Sequence, residues 1–182
     1  MENINKIIDI KSIKKLVLVL VGTGLLTISA KIQTPLAPIP ATMQTFAVMF
    51  LGIVLGAKLA VATVVLYLIE GLLGLPVFAK GGGYMYLMGP TSGYLIGFIL
   101  GAFLSGLAKK FKDPIITFLH LLFSVSTIYL LGLIWLWSFM GFDRSFSEVF
   151  SVGAKPFLHI EIYKLLILTI ISGQLFKLRK FI

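Results

Sequence analysis

The amino-acid sequence predicts an all-α integral membrane protein, with six transmembrane helices and irregular outward-facing loops in a single membrane domain over residues 1–182. Two observations predict this class. The chain is 58% hydrophobic and 13% charged, with a mean hydropathy of +1.04, whereas charged residues make up about a quarter of a soluble domain. Apolar runs long enough to cross a bilayer also recur along the chain. The sequence has no cysteine, which excludes disulfides and thiolate metal sites.

The six helices follow from the apolar runs and the breaks between them. The first run follows a basic leader but lacks the small-residue cleavage site of a signal peptide, so we expect a retained helix. Residues 43–78 would span about 54 Å as one helix, against a bilayer core of about 30 Å, so the chain must turn back at Gly56, Ala57 and Lys58. The fifth run is long and is expected to tilt. The predicted helices are residues 16–30, 42–56, 57–75, 91–107, 114–140 and 156–175.

Basic residues predict the orientation of the chain. Most of the 16 Lys and Arg residues fall on the side that six crossings would give to both termini. By the positive-inside rule, both termini are predicted to be cytoplasmic. The formal net charge of +9 fits the anionic inner leaflet of the lipid bilayer, and its dispersal over loop ends argues against a nucleic acid partner. The Pro-rich residues 31–42 and the Gly-rich residues 74–90 then lie outside.

The Gly-rich segment is the first candidate for a ligand site. Irregular backbone at membrane depth is tolerated only where protein buries it or where it lines a cavity. Gly81, Gly82 and Gly83 would allow close backbone approach to a ligand and offer N–H donors. Tyr84, Tyr86 and Trp135 either belong to an interfacial aromatic belt or cover an apolar ligand.

Ionisable side chains inside the apolar runs form a second candidate site. Glu161 and Lys164 are three residues apart near the start of the sixth helix and share a face. They either form a surface ion pair with Lys164 snorkelling outward or face a cavity, which we favour because ionisable groups within spans usually face a bundle interior. Glu70 could line the same cavity or pair with Lys80 or Lys31.

A stripe of small residues in the fourth helix predicts close helix packing. Gly93, Gly97, Gly101 and Ser105 recur every four residues and let another helix approach. Packing inside the chain is expected more than an oligomer surface. His120, in the fifth helix, is expected to have a hydrogen-bonded packing role.

Missing motifs argue against an enzyme. The sequence contains no Walker A, HExxH or GxSxG pattern, so the P-loop mechanism and the common hydrolase mechanisms have no support. The triple glycine lacks the Lys-Ser/Thr of a phosphate-binding loop. We therefore expect neither catalysis nor a cofactor.

Several segments, taken together and in order, identify a family. They are Gly-Leu-Pro-Val-Phe at 74–78, the triple glycine, Leu-Met-Gly-Pro-Thr-Ser-Gly at 87–93, and Pro-Phe-Leu-His-Ile-Glu-Ile-Tyr-Lys at 156–164. With residues 39–45 and 132–136, they resemble the BioY family over nearly the whole chain. BioY proteins are the biotin-specific substrate-binding (S) components of energy-coupling-factor (ECF) transporters.

The resemblance implies an ECF S-component-like fold in the inner membrane of a bacterial cell. Such a chain captures biotin at the outer face, and a transmembrane coupling protein with two ATPase subunits powers uptake. Biotin is then the transported substrate. In the family an Asp-x-x-Lys pair contacts biotin, and the matching positions here are Glu161 and Lys164. Gln44 and Thr91 lie in matching segments and join the candidate substrate-binding residues.

The chemistry of biotin suits these residues. Lys164 could neutralise its carboxylate or donate to its ureido oxygen, and Glu161 could accept from the ureido N–H groups, in charge-assisted bonds. An anionic ligand beside Glu70, Glu161 and Lys164 together would leave excess negative charge, so Glu70 is expected to face elsewhere. Four alternatives stay open: an S component for another vitamin, a biotin transporter without a dedicated module, an intramembrane enzyme, and a structural subunit without a ligand.

Overall fold

The structure is a computed structural model that describes residues 10–34, 39–108 and 113–182. Two-residue strands β1 (Gln33–Thr34) and β2 (Ala41–Thr42) pair antiparallel between the first two helices. The basic leader at 1–9, the centre of the Pro-rich segment at 35–38 and the lysines at 109–112 lie outside the described residues. The helices are α1 (Ile10–Lys31), α2 (Gln44–Leu55), α3 (Ala57–Leu72), α4 (Tyr84–Leu87), α5 (Ser92–Leu107), α6 (Pro114–Met140), α7 (Phe146–Gly153) and α8 (Leu158–Leu178), with 3₁₀ turns at Lys155–Phe157 and Arg179–Phe181.

The six predicted helices correspond to α1, α2, α3, α5, α6 and α8, and their ends show where the predictions were wrong. Helix α1 begins at Ile10 rather than at residue 16. The prediction began where the apolar run begins, but the helix also includes the lysine-rich residues before that run. Helix α3 ends at Leu72 rather than at residue 75, because Gly74 has a positive φ of 96° and Pro76 disfavours helix before it. Helix α8 continues to Leu178, and α6 has the predicted bounds.

The predicted turn between the second and third helices is confirmed. Helix α2 ends at Leu55, α3 begins at Ala57, and Gly56 between them has a φ of 77°. Helix α5 crosses this turn in backbone contact, since a Cβ placed on Gly106 would lie 2.4 Å from the Ala57 Cα. The glycines at both positions therefore permit the crossing.

The small-residue stripe packs inside the chain, as predicted. A Cβ on Gly93 would lie 2.2 Å from the Trp135 Cβ, and one on Gly97 would lie 2.9 Å from the Ile128 Cα. At the other end of α5, a Cβ on Gly52 of α2 would lie 2.0 Å from the Ser105 Oγ. Helix α5 is thus held closely between α6 and α2, and it forms the centre of the bundle.

Length distinguishes the helices from one another. Within the described residues, three helical stretches are long and apolar enough to cross a membrane: Ser12–Lys31, Pro114–Met140 and Phe146–Phe181. Helix α2 has 12 residues and covers about 18 Å, less than a bilayer core of about 30 Å. It is buried along nearly its whole length, as expected of a helix that is hydrophobic all round.

Helix α7 and the hairpin formed by β1 and β2 were not predicted. The Ser145 Oγ accepts a hydrogen bond from the Glu148 N–H at 3.3 Å and caps α7. Serine followed three residues later by glutamate is a capping-box pattern, so the sequence contained a signal for this helix. The hairpin has no comparable signal in its two-residue strands.

Candidate functional site

Glu161 and Lys164 lie one turn apart on α8, and both side chains point into the bundle. Their exposed fractions are 6% and 4%, and the Lys164 Nζ lies 2.7 Å from the Glu161 Oε1. Burial of both groups rules out the alternative in which Lys164 snorkels to the membrane surface. The pair is the kind of intramembrane charge that marks a functional site.

The Lys164 ammonium group has three acceptors. It donates to the carbonyl of Thr42 at 2.7 Å, to the Thr45 Oγ1 at 3.0 Å and to the Glu161 Oε1 at 2.7 Å. An ammonium carries three N–H donors, so this set uses all of them. The Thr45 hydroxyl lies 2.9 Å from each Glu161 oxygen and donates to this carboxylate. The network ties β2 and α2 to α8.

A cavity of about 50 Å³ lies against Glu161. On this measure a water molecule needs about 10–15 Å³, so the cavity holds a few waters and is smaller than a vitamin. Four predicted site residues line it: Gln44, Tyr86, Thr91 and Glu161. Its other walls are the loop residues 39–42, Thr45, Ala79, Tyr94, Leu95, Phe98, Tyr129 and Phe157.

Aromatic rings form much of the wall. The Tyr94 hydroxyl donates to the carbonyl of Gly153 at 2.8 Å, so its polar end is already paired while its ring lines the cavity. Tyr129 on α6 packs edge-on to Tyr94, with ring centroids 5.7 Å apart, and interacts with Glu161. The cavity therefore offers apolar ring surface beside one carboxylate.

Gln44 is held in one orientation at the cavity wall. Its Nε2 donates to the Tyr67 hydroxyl at 2.8 Å, and Tyr67 donates to the carbonyl of Val77 at 3.0 Å. The Gln44 Oε1 accepts from the Thr42 hydroxyl at 3.1 Å. Because the Thr42 carbonyl also accepts from Lys164, Thr42 joins the amide to the charged network.

Tyr86 on α4 also lines the cavity. Its ring stacks on Phe78 with centroids 4.9 Å apart. Burial raises the pKa of the Tyr86 hydroxyl above its usual value of about 10, against smaller opposing hydrogen bonds from Thr91 and from the Lys80 backbone. The hydroxyl therefore stays protonated over the physiological pH range and can donate a hydrogen bond.

Lys164 does not line the cavity that Glu161 lines. Its side chain borders a neighbouring cleft of about 190 Å³ beside the hairpin, together with Gln33, Thr34 and Thr42. The two charged groups of the pair therefore face different spaces, and the carboxylate is the one that a ligand in the cavity would meet.

The structure places the three glycines outside the cavity, which corrects the first candidate site. Gly81 and Gly83 have positive φ values of 131° and 93°. The Gly83 N–H donates to the carbonyl of Gly71 at 2.6 Å, and a Cβ on Gly82 would lie 2.0 Å from the carbonyl oxygen of Leu75. These glycines close a tight turn onto the end of α3: packing leaves no room for a side chain at Gly82, and the positive φ values favour glycine at Gly81 and Gly83.

Trp135, Tyr84 and Glu70 also lie away from the cavity. The Trp135 Nε1 donates to the carbonyl of Gly89 at 2.9 Å, so the indole fastens the loop before α5 to α6. Tyr84 is 58% exposed. Glu70 accepts a hydrogen bond from the Thr23 hydroxyl at 3.1 Å, because its position on α3 faces α1.

Neither lysine that was considered as a partner for Glu70 contacts it. The Lys31 Nζ donates to the carbonyl of Phe78 at 2.6 Å, and Lys80 is exposed. His120 lies 2.9 Å from the carbonyl of Leu104 through its Nε2, in agreement with a packing role.

Sequence reasoning missed Thr42, Thr45 and Tyr129. Thr42 and Thr45 lie in the same matching segment as Gln44, so proximity in sequence was an available signal. Tyr129 is a hydroxyl-bearing residue in the middle of an apolar helix, where its O–H needs a partner. Within the described residues, no group of three or more His, Cys, Asp or Glu side chains could hold a metal ion.

Comparisons with known proteins identify the family of this chain. A model of the BioY family matches residues 2–181. The chain is 36% identical over 163 residues to a probable biotin transporter BioY of Pyrococcus horikoshii, covering 89% of this chain and 96% of the relative. It is 39% identical over 158 residues to the biotin transporter BioY of Thermotoga maritima, covering 86% and 92%. These relatives are named as transporters and not as enzymes.

A solved structure supports the fold. The crystal structure of an S-component for biotin from an ECF-type ABC transporter matches with a TM-score of 0.79 at 23% identity, covering 93% of this chain and 94% of that chain. The expected likeness to an ECF S component is therefore confirmed at the level of the fold. A family match along nearly the full length and these close relatives lead to one conclusion: the chain belongs to the BioY family.

Proposed function

We propose that this chain is the substrate-binding membrane subunit of a biotin uptake system, and that biotin binds in the cavity beside Glu161. The observation that carries this proposal is a buried Glu161–Lys164–Thr45 network at the wall of an aromatic cavity, in a BioY-family chain. Relatives named as biotin transporters support biotin over other vitamins.

The polar end of biotin that meets Glu161 is the ureido group. Glu161 lines the cavity and Lys164 does not, so a bound carboxylate would meet a like charge before it met the lysine. The ureido group instead presents two N–H donors, which a carboxylate accepts in charge-assisted bonds. Lys164 then acts on Glu161 rather than on the ligand, because its ammonium group donates a hydrogen bond to the carboxylate.

Entry of biotin requires one wall to move, because the cavity is smaller than the ligand. Residues 39–42, which include β2, form a wall that is not helical, and Lys164 binds this wall through the carbonyl of Thr42. One buried side-chain acceptor in the described residues has no partner, the Gln33 Oε1 on β1. An unsatisfied buried acceptor is costly, which supports a hairpin that rearranges when the ligand binds.

Equilibrium binding of labelled biotin to the detergent-purified chain tests the proposal, with riboflavin and thiamine as competitors. We expect binding that unlabelled biotin displaces and the other vitamins do not. Glu161→Gln should weaken binding by about 10- to 100-fold, since a hydrogen bond to a charged group contributes about 1.5–3 kcal/mol. Glu70→Gln is the matched control, because it makes the same change at a carboxylate outside the cavity.

Biotin amide, which lacks the free carboxylate, tests the orientation of the ligand. If the ureido group meets Glu161, Glu161→Gln should weaken the binding of biotin and of biotin amide equally. A loss confined to one ligand would contradict this orientation, and undiminished binding by Glu161→Gln would contradict the site itself.

We also propose that uptake depends on a separate ATP-driven module, a transmembrane coupling protein with two ATPase subunits. The matching fold is that of an S-component from an ECF-type ABC transporter, and this sequence has no Walker A motif. Biotin uptake by cells that express the chain with and without such a module tests this. Equal uptake in both would show that the chain transports alone.

A further inference from the structure

A large basic cleft lies at the end of the bundle opposite the biotin cavity. It has a volume of about 840 Å³ and lies where the turn between α2 and α3 meets the ends of α5 and α8. Four cationic side chains border it: Lys58, Lys177, Arg179 and Lys180. Leu55, Leu59, Leu107 and Phe176 supply its apolar walls. The cleft thus combines a cationic rim with an apolar wall.

Arg179 is built into this cleft. Its Nη1 donates to the carbonyl of Ala108 at 3.3 Å. A Cβ on Gly56 would lie 2.6 Å from the Arg179 Nη2, so the guanidinium occupies space that only glycine leaves free. Gly56 also has no side chain to cap α3, and the first N–H groups of that helix favour an anion.

The four cations have no carboxylate partner within the described residues. The ion pairs found there are Arg144–Glu148 and Lys164–Glu161, and neither lies in the cleft. Three of the four cations lie in the last turn of α8 or directly after it, where they also stabilise its negative C-terminal end. Lys58 lies in the first turn of α3 and has no such role.

We propose that this cleft binds the phosphate headgroup of an anionic membrane phospholipid, with an acyl chain along Leu59 and Leu107. Basic pockets between transmembrane helices hold anionic headgroups, and an arginine fork matches phosphate geometry. Leu107 is 50% exposed, so the apolar wall is open to an acyl chain. The inference goes beyond biotin binding and does not rest on it.

Thermal unfolding of the detergent-purified chain, titrated with phosphatidylglycerol, tests this proposal. Phosphatidylcholine and inorganic phosphate serve as separate arms. We expect phosphatidylglycerol to raise the Tm, and neither of the other additives to do so. The double variant Lys58→Gln/Lys180→Gln removes two exposed cations and should weaken the apparent affinity for phosphatidylglycerol about 25-fold, at about five-fold per cation.

The matched control is Lys80→Gln/Lys155→Gln, which removes two exposed lysines at the other end of the bundle and should leave the titration unchanged. Arg179→Gln should also weaken lipid binding. If the Arg179→Gln variant does not fold, the Lys58→Gln/Lys180→Gln variant still tests the proposal. Equal stabilisation by phosphatidylcholine would overturn the proposal, as would equal stabilisation by phosphate alone. An unchanged titration of the Lys58/Lys180 variant would also overturn it.

Discussion

Lys164 binds groups from two other elements and holds one charge of a buried ion pair. Such a pair costs free energy to desolvate and adds little net stability, but removal of one partner leaves an uncompensated buried charge. The Thr45 hydroxyl and the Thr42 carbonyl satisfy the donors that Glu161 does not. The net contribution of the pair to stability is therefore expected to be small, and we propose that its role is to offer a ligand a charged acceptor.

The variant Lys164→Ala should lower the free energy of unfolding by about 3–5 kcal/mol, because Glu161 would be left buried and unpaired. The double variant Lys164→Ala/Glu161→Ala should recover much of this loss without recovering biotin binding. Thermal unfolding in detergent measures the first effect, and the binding assay measures the second. A double variant as unstable as Lys164→Ala would contradict this account of the pair.

Helix α5 shows how small residues position the site at the scale of an element. Its contact with α6 runs along Gly93 and Gly97, and its contact with α2 is closest where Ser105 meets Gly52. This close approach brings Tyr94, Leu95 and Phe98 of α5 to the cavity wall beside Gln44 and Thr45 of α2. The shape of the cavity therefore depends on the close spacing of α5 to α6 and α2.

The variant Gly52→Ala should lower the free energy of unfolding by about 1–3 kcal/mol. Its added Cβ would lie 2.0 Å from the Ser105 Oγ and 2.9 Å from the Gly106 backbone N, so the two helices must separate. Gly24→Ala is the control, because nothing lies within 4 Å of a Cβ at this helical position. The control should be neutral or stabilising by up to about 1 kcal/mol. Equal stability of both variants in a thermal unfolding assay would contradict the close packing.

At the scale of the whole molecule, the first turns of α1 lie beside the end of the chain. The Lys14 Nζ donates to the carbonyl of Phe181, which places the start of α1 beside the end of the chain. This neighbourhood supports an even number of crossings. With the distribution of basic residues, it supports our proposal of six crossings with both termini in the cytoplasm.

Single-cysteine variants test this orientation, because the chain has no cysteine of its own. In right-side-out membrane vesicles, Lys80→Cys should react with a membrane-impermeant maleimide. Lys180→Cys should react only after the membrane is permeabilised, although both positions are exposed in the structure. Labelling of both variants in sealed vesicles would rule out the proposed topology.

Much of the fold could be predicted because its signals are local. Apolar runs located the six main helices, Gly56 marked the turn between α2 and α3, and four-residue spacing marked the packing face of α5. The predicted start of α1 and the predicted end of α3 were wrong, because hydropathy marks the residues that lie in the bilayer, whereas a helix begins and ends where the backbone conformation changes. Of the candidate site residues, Gln44, Tyr86, Thr91 and Glu161 do meet at one cavity.

By itself, the sequence determined the class of the protein, its main helices and the buried charges of α8, because composition and periodicity are properties of neighbouring residues. Only the tertiary structure decided which groups face the cavity. Glu161 and Lys164 share a helix face and form a direct ion pair, yet Glu161 borders the aromatic cavity whereas Lys164 borders the cleft beside the hairpin. The triple glycine could serve a ligand or a turn, and only the packing of Gly82 against Leu75 chose the turn.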